Sequence, residues 1–146
     1  TLYFPTVDEE VWENSAAEEA LPRGNEKILF IDDEEMLADM GKNMLERLGY
    51  SVTARKNSLE ALESFRNIPG QFDIVITDYS MPGMTGVDLA KEILVIRPGM
   101  PIILCTGYSN QITEKKAKKL GINEFLMKPL IQENLAKLIR KVLDVS

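Results

Sequence analysis

From residue 27 onward, short apolar runs alternate with segments whose apolar residues recur at helical spacing, and this alternation is what most constrains the fold. Short apolar runs bounded by charged or turn residues are typical of buried strands, and apolar positions three and four apart indicate helices. The pattern predicts strands at residues 28–31, 50–55, 72–77, 101–106 and 123–127. It predicts helices at residues 36–48, from 58 to the breaker pair at 69–70, and at 87–96, 110–120 and 131–143.

Such regular alternation favours one architecture. Short, continuously apolar strands joined by helices indicate a parallel sheet that is covered on both faces. Right-handed crossovers leave few topologies for five such units. We therefore predict an α/β protein with the flavodoxin-like, doubly wound (βα)5 fold, whose five-stranded parallel sheet has the order 2-1-3-4-5. In this fold, ligands bind beyond the carboxyl ends of the strands.

Residues 1–25 differ in composition from the rest of the chain. They hold six acidic residues and one basic residue, so this segment carries a charge of −5 out of −6 for the whole chain. The segment ends in Pro-Arg-Gly-Asn, a cluster that interrupts regular structure. We predict an acidic linker or tail at residues 1–25 and one globular domain at residues 26–146.

Composition excludes several kinds of site. The chain has no histidine, which rules out Ser-His-Asp and Cys-His nucleophiles and histidine-based zinc sites. Cys105 is the only cysteine, so no internal disulfide can form, and a reducing, cytoplasmic location is expected. No apolar run approaches the length of a membrane span. No basic stripe indicates a nucleic-acid surface.

Individual positions within the predicted elements carry their own expectations. Met36, Met40 and Met44 recur at helical spacing and are expected in the core. Cys105 lies in an apolar strand and is expected to be buried as a small hydrophobic residue. Ser58 stands where a side chain can cap the second helix.

Polar side chains with distinctive chemistry stand at the ends of four predicted strands. Asp32 and Asp33 follow the first strand, Asp78 the third, Thr106 ends the fourth, and Lys128 follows the fifth. The predicted strand order brings all of them to one edge of the sheet. Three clustered carboxylates repel one another, and a hard cation such as Mg²⁺ relieves that repulsion. With a lysine and a hydroxyl beside them, these residues favour phosphoryl transfer, in which an aspartate can be the nucleophile.

Each of these residues has a simpler interpretation when taken alone. Asp32 and Asp33 could cap the first helix, where acidic side chains are favoured. Thr106 could be an ordinary hydroxyl at a strand end, and Lys128 a solvated surface lysine. Their joint placement at one edge favours the functional interpretation over these separate ones.

At this point the chain resembles a known family. The segments ILFIDDEE, DIVITDYSMPGMTGVDL, PIILCTGYS and FLMKPL stand in the order and spacing found in receiver domains of bacterial response regulators and hybrid histidine kinases. The resemblance covers residues 26–145. It implies a phosphoacceptor domain of a two-component, His-to-Asp phosphorelay, which catalyses its own phosphorylation and dephosphorylation and is not a turnover enzyme.

The resemblance implies a role for each acidic residue. Asp78 would accept the phosphoryl group. Asp33 and Asp78 would bind Mg²⁺ directly, Asp32 would act through a bound water, and the backbone carbonyl of Ser80 would supply a further ligand.

The resemblance also implies which residues respond to phosphorylation. Thr106 would be the switch hydroxyl, and Lys128 would pair with the phosphoryl oxygens next to a cis peptide bond to Pro129. Phe125 matches the aromatic switch position, although it lacks the hydroxyl of a tyrosine and, taken alone, its side chain favours core packing.

Partners follow from the same resemblance. The phosphodonor would be a histidine kinase or a histidine phosphotransfer domain. The face formed by the fourth helix, fifth strand and fifth helix could bind a partner or a second copy, and four of its lysines suit either that role or a solvated surface (Lys115, Lys116, Lys118 and Lys119). No contact of this domain with nucleic acid or membrane is implied. Residues 1–5 resemble the closing strand of a kinase ATP-binding domain, which suggests a hybrid sensor kinase that could itself be tethered to a membrane.

Two other functions compete with this one. Phosphatases of the haloacid-dehalogenase type need a second aspartate two residues after the nucleophile, but Glu34 follows Asp32 and Ser80 follows Asp78 at that spacing. Receiver-like domains that work without phosphorylation usually lack an acid, the threonine or the lysine, and this chain has all of them. The sequence leaves open whether the receiver acts on a partner, relays phosphate onward or regulates a kinase.

Overall fold

A computed structural model describes residues 22–68, 70–107 and 114–145. Most of the predicted linker lies outside the described residues, as do residues 1–5 with their resemblance to a kinase strand. The first part of the helix predicted at 110–120 also lies outside them.

Five strands and five helices alternate along the described residues. The strands are β1 (Lys27–Ile31), β2 (Ser51–Arg55), β3 (Ile74–Asp78), β4 (Ile102–Thr106) and β5 (Glu124–Met127). The helices are α1 (Glu35–Arg47), α2 (Ser58–Asn67), α3 (Gly86–Ile96), α4 (Glu114–Lys119) and α5 (Gln132–Val145). Every strand pair is parallel, and the order is β2-β1-β3-β4-β5, which confirms the predicted topology. None of the helices within the described ranges combines the length and apolarity needed to cross a membrane.

Side chains from the strands alternate between two separate cores, one on each face of the sheet. One core combines Leu29, Ile31 and Val75 with residues of α2, α3 and α4. The other combines Phe30 and Ile76 with residues of α1 and α5. Because both faces are covered, β3 and β4 are buried along their whole length, which explains why both strands are apolar except at their carboxyl-terminal ends.

The prediction that the methionines of α1 belong to the core is wrong. Met36 is 83% exposed and Met40 is 40% exposed, whereas the buried face of α1 carries Ala38, Gly41 and Leu45. A Cβ on residue 41 would lie 2.4 Å from Cζ of Phe30, so the helix packs on the sheet through its small residues. The larger methionines occupy the neighbouring stripe, which faces solvent.

The starts of two helices are fixed by side-chain caps. At α2 the N-cap is Asn57, whose Oδ1 accepts a hydrogen bond from the Glu60 amide at 2.8 Å, so the prediction of Ser58 as the cap is wrong. At α3, Thr85 and Asp88 form a reciprocal capping box, which makes Gly86 the first residue of that helix.

Arg140 ties the start of the domain to α5 at the amino ends of the strands. Its guanidinium pairs with Glu26 and donates a 3.4 Å hydrogen bond to the carbonyl oxygen of Arg23. It also lies 5.9 Å from the centre of the buried Tyr50 ring. Residues 23–26 are therefore held on the side of the domain opposite the carboxyl ends of the strands.

Candidate functional site

The polar residues predicted to converge do meet at the carboxyl edge of the sheet. Strands β1 and β3 are neighbours, so Asp32 and Asp33, which follow β1, stand beside Asp78, the last residue of β3. Strand β4 pairs with β3 and ends in Thr106. Lys128 follows β5, which pairs with β4. We refer to Asp32, Asp33, Asp78, Thr106 and Lys128 together as the acidic rim.

The three aspartates of the acidic rim form a compact oxygen cluster. One carboxylate oxygen from each lies within 4.8 Å of the other two. Asp32 and Asp78 are buried, at 1% and 4% exposure, whereas Asp33 is exposed to solvent. Within the described residues this is the group of acidic side chains close enough to hold a metal ion together. A set of hard oxygen donors that is open on one side suits a divalent cation such as Mg²⁺, which keeps several waters.

Lys128 supplies positive charge to the two buried aspartates. Its Nζ lies 3.1 Å from Oδ1 of Asp78 and 3.2 Å from Oδ2 of Asp32. Burial alone would lower the pKa of Lys128, but its hydrogen bond to Asp78 and the charges of both aspartates raise that pKa above its ordinary value. The ammonium group therefore stays protonated and compensates part of the negative charge of the acidic rim.

Asp78 has an unusual proton affinity in the absence of a metal ion. Burial raises its pKa to about 6, Lys128 opposes that rise, and Asp32 and Asp33 add to it. A carboxylate in this environment is poorly compensated, so it should bind a cation readily. The second carboxylate oxygen of Asp32 is satisfied differently, because its Oδ1 accepts a 3.0 Å hydrogen bond from the Glu34 amide.

The backbone beside the acidic rim links the ends of β3, β4 and β5. The Lys128 amide donates a 2.7 Å hydrogen bond to the Thr106 carbonyl oxygen, and the Lys128–Pro129 peptide bond is cis, as expected. The Tyr79 amide donates a 2.8 Å hydrogen bond to the Cys105 carbonyl oxygen. These contacts fix the direction in which the chain leaves each strand.

The predicted switch residues lie on the same face of the sheet. The Thr106 side chain is 1% exposed, and its Oγ1 donates a hydrogen bond to Sδ of Met127 at 3.3 Å. Phe125 is half-buried and packs against the core shared by α2, α3 and α4. Ser80, whose carbonyl was predicted as a metal ligand, lies exposed in the loop between β3 and α3.

Gly86 positions Asp78 and was missed as a site residue by sequence reasoning. A Cβ at residue 86 would lie 2.2 Å from the Asp78 carbonyl oxygen, so α3 can start against the end of β3 only without a side chain there. The Gly86 amide donates a 2.9 Å hydrogen bond to the Tyr79 carbonyl oxygen, which closes the intervening loop. The capping pattern of Thr85 and Asp88 is the sequence signal that marks this helix start.

Ser58 has a different role from the predicted cap. Its side chain is buried, and its Oγ donates a 2.7 Å hydrogen bond to the Met84 carbonyl oxygen. This bond anchors the loop between β3 and α3 to the first turn of α2. The loop that carries Ser80 is thus held at both ends, by α2 and by Gly86.

The comparisons with known proteins agree on one family. A model of the response regulator receiver domain matches residues 28–140. The chain is 32% identical over 117 residues to chemotaxis protein CheY of Thermotoga maritima, an alignment that covers 80% of this chain and 96% of that protein. A solved receiver domain protein from Clostridium thermocellum has a TM-score of 0.79 and 35% identity, covering 82% of this chain and 95% of that one.

A longer relative matches the whole chain. The aerobic respiration control sensor protein ArcB of Escherichia coli is 30% identical over 148 aligned residues, which include 100% of this chain. The chain spans only 19% of the length of that relative. The sheet order, the family model and these relatives together show that the chain belongs to the response regulator receiver domain family of two-component signalling systems.

Proposed function

We propose that Asp78 of this receiver accepts a phosphoryl group from a phosphohistidine, in the presence of Mg²⁺. The observation that carries the proposal is the position of Asp78, whose buried carboxylate lies 3.1 Å from Lys128 and within 4.8 Å of two other aspartates. A nucleophile, a cation site and a fixed ammonium group are the parts that phosphoryl transfer requires. An exposed aspartate pair or a helix cap would not need a half-buried lysine between two buried carboxylates.

The transfer forms an acyl phosphate. An oxygen of Asp78 attacks phosphorus, the bond between phosphorus and the imidazole nitrogen breaks, and the electron pair of that bond returns to the donor histidine. Lys128 lies where it can pair with oxygens of the phosphoryl group once that group occupies Asp78. Hydrolysis of the acyl phosphate by water resets the domain, so the chain acts as a signalling phosphoacceptor and not as a turnover enzyme.

The acidic rim fits the metal that this chemistry uses. We assign Asp33 and Asp78 as direct ligands, Asp32 as a ligand through water, and the Ser80 carbonyl as a further oxygen ligand. The exposure of Asp33 and the burial of Asp32 are in keeping with this division. When bound, Mg²⁺ supplies charge neutralisation for the phosphoryl oxygens.

Thr106 and Phe125 are proposed to report phosphorylation to the surface. A phosphoryl oxygen is an anionic acceptor that attracts a nearby hydroxyl, which would draw Thr106 toward Asp78. Phe125 lies two residues from Met127 on the same side of β5 and is only half-buried, so it has room to repack. The outcome is a shift between two conformations of the face formed by α4, β5 and α5.

The exposed methionines of α1 suggest where the phosphodonor binds. Met36, Met40 and the half-buried Met44 run along α1 and line an open, mostly apolar groove of about 450 Å³, whose polar lining residues are Asp39, Asn43 and Arg47. The helix begins two residues after Asp33, so this groove adjoins the acidic rim. Adaptable methionine surfaces suit an apolar helix face. We therefore propose that a helical histidine-bearing domain docks on α1.

The chain organisation is proposed from the relative that matches it throughout. The alignment with the ArcB sensor protein includes residues 1–25 as well as the receiver. This supports residues 1–25 as a linker that follows a kinase domain and residues 26–146 as the receiver of a cytoplasmic, hybrid-kinase arrangement. The face formed by α4, β5 and α5, with exposed Lys115 and Lys119, is the proposed contact for a downstream partner or a second copy.

The direct test is intact mass after incubation with acetyl phosphate and Mg²⁺. We expect the wild-type chain to gain one phosphoryl group, and we expect no gain with Asp78→Asn or in the presence of a metal chelator. Asp144→Asn is the matched control, because Asp144 is an exposed aspartate that pairs with Arg140 near the amino ends of the strands. An unlabelled wild-type chain, under conditions that label another receiver, would contradict the proposal.

A further inference from the structure

The hydroxyl of Thr106 is already hydrogen-bonded in the structure, and its acceptor is a sulfur atom. Oγ1 lies 3.3 Å from Sδ of Met127. The two residues are directly paired in the parallel ladder between β4 and β5, which places both side chains on the same side of the sheet. The strand register thus sets this contact, since it joins the last residue of β4 to the last residue of β5.

The two partners of this contact have very different surroundings. Thr106 is 1% exposed, whereas Met127 is 40% exposed. A buried hydroxyl needs a hydrogen-bond partner, because leaving it unpaired is unfavourable. The exposed Met127 provides this hydrogen-bond partner. Its side chain lies on the same face of β5 as that of the half-buried Phe125.

The strength of the acceptor matters for the switch. A thioether is a weak neutral acceptor, and a phosphoryl oxygen is an anionic one that forms shorter and stronger hydrogen bonds. The hydrogen bond to the thioether therefore gives the hydroxyl a preferred orientation, but little free energy is lost when the hydroxyl rotates away from it. A stronger neutral acceptor at residue 127 would hold the hydroxyl more firmly, and an alkyl side chain would not hold it at all.

We propose that Met127 is a positioning residue that holds the Thr106 hydroxyl in its resting orientation, and that its weak thioether sets how easily this hydroxyl is released to a phosphoryl group on Asp78. The inference rests on the proposed function for Asp78 and Thr106. Met127, which precedes Lys128, would then contribute to the equilibrium between the resting and the phosphorylated conformation of this receiver. The inference also predicts that two replacements of similar length will shift the equilibrium in opposite directions.

The test compares Met127→Leu with Met127→Gln. Both retain the bulk of the side chain, but leucine has no acceptor and glutamine has a strong one. Affinity for beryllofluoride with Mg²⁺, an analogue of the phosphoryl group, is measured by NMR titration on the fluorine signal of the bound analogue. We expect Met127→Leu to bind about threefold more tightly than wild type and Met127→Gln about threefold more weakly, in line with one modest hydrogen bond.

The same two Met127 variants are also compared in proteins with a substitution at Thr106, which separates an effect on the Thr106 hydroxyl from an effect on side-chain packing. In Thr106→Val, which lacks the hydroxyl, the two Met127 variants should bind the analogue with equal affinity. In Thr106→Ser, which keeps the hydroxyl, the difference between them should return. Thermal unfolding of each variant shows that affinities are compared between folded proteins.

The outcomes distinguish this inference from the proposed function. If the wild-type chain does not bind beryllofluoride with Mg²⁺, the phosphoacceptor proposal fails, and this inference fails with it. If the wild type binds but both Met127 variants match it, Met127 has no positioning role, and the phosphoacceptor proposal stands. A difference between the variants that persists in Thr106→Val would also exclude a positioning role, because packing alone then explains it.

Discussion

The ammonium nitrogen of Lys128 lies 3.1 Å from Oδ1 of Asp78, although Asp78 ends β3 and Lys128 follows β5, and these strands are not neighbours in the sheet. Strand β4 separates β3 from β5, so the lysine has to reach across the end of β4. The Lys128 amide is held at that point by the Thr106 carbonyl oxygen at 2.7 Å. The pairing of β4 with β5 therefore determines whether Asp78 has a cation beside it.

Replacing this lysine should separate metal binding from phosphorylation. In Lys128→Met, the carboxylates lose a competing cation, so we expect Mg²⁺ to bind more tightly. Phosphorylation by acetyl phosphate should be at least tenfold slower, because the transferred group loses a fixed positive partner. Calorimetry and intact mass measure the two effects. Lys141→Met, at an exposed lysine of α5, should change neither, and a parallel loss of both properties in Lys128→Met would contradict this division of roles.

The raised pKa of Asp78 predicts that this residue destabilises the metal-free domain at neutral pH. The folded state binds the Asp78 proton more tightly than the unfolded state, because burial raises its pKa from the ordinary value of 3.8 to about 6. The contribution of Asp78 thus favours folding below pH 3.8 and is lost as pH rises through about 6.

We therefore expect Asp78→Asn to raise the free energy of unfolding at pH 7 by about 1–3 kcal/mol without metal. This gain should shrink as pH falls toward 4. Urea unfolding with a chelator at several pH values measures it. A gain that is the same at every pH would show that the effect does not come from the charge of Asp78.

Metal affinity should depend on pH through the same carboxyl group. If Asp78 is a ligand as proposed, Mg²⁺ binds its ionised form, and because the pKa of Asp78 is about 6 without the metal, protons and metal compete. The apparent affinity should be nearly constant above pH 7 and should fall about tenfold per unit of pH below 6. Calorimetric titration from pH 5 to 8 tests this, and an affinity that is flat across the range would mean that Asp78 is not a ligand.

Gly86 should tolerate no side chain, for a reason specific to the site. A Cβ there would lie 2.2 Å from the Asp78 carbonyl oxygen, so Gly86→Ala must move either α3 or the end of β3. We expect a loss of about 1–3 kcal/mol in stability and a slower phosphorylation of Asp78. Gly70→Ala is the control, because nothing lies within 4 Å of a Cβ at that position. Equal effects of the two substitutions in chemical denaturation would contradict the steric explanation.

Two residues of α1 should separate folding from donor recognition. Leu45 is fully buried, so Leu45→Ala should cost about 2–5 kcal/mol in stability. Met36 is 83% exposed, so Met36→Ala should change stability by no more than about 0.5 kcal/mol. That variant should nevertheless accept phosphate more slowly from a phosphohistidine domain, while acetyl phosphate still labels it at the normal rate. Unchanged transfer from the domain would mean that the donor docks elsewhere.

The sheet and the acidic rim were predictable because both depend on local patterns. Apolar runs identified the strands, and in a parallel sheet the residues that follow neighbouring strands must meet at one edge. The clustering of Asp32, Asp33, Asp78 and Lys128 could therefore be predicted without any knowledge of side-chain contacts, and the structure brings these residues together. Helix starts were harder to place, because Asn57 and Ser58 are adjacent residues that can both act as caps.

The orientation of α1 was not predictable from periodicity. Helical spacing shows which residues share a face, but it does not show which face meets the sheet. Here Gly41 lets Phe30 approach the helix closely, and this contact decides the orientation in favour of small residues over methionines. The contact between Thr106 and Met127 was equally hidden, because it depends on the register of β5 against β4.

The hold of Arg140 on Glu26 and on the Arg23 carbonyl matters to anyone who builds chimeras from this receiver. A fusion junction at residue 22 or earlier keeps both contacts of Arg140, so the chain that enters the domain from a fused reporter stays attached to α5. A junction after Glu26 removes the carboxylate that pairs most closely with Arg140 and leaves Asp144, 3.8 Å away, as its remaining ion-pair partner in the described residues. A protein fused at this end of the domain would also lie away from the opposite end, where Asp32, Asp33 and Asp78 are clustered.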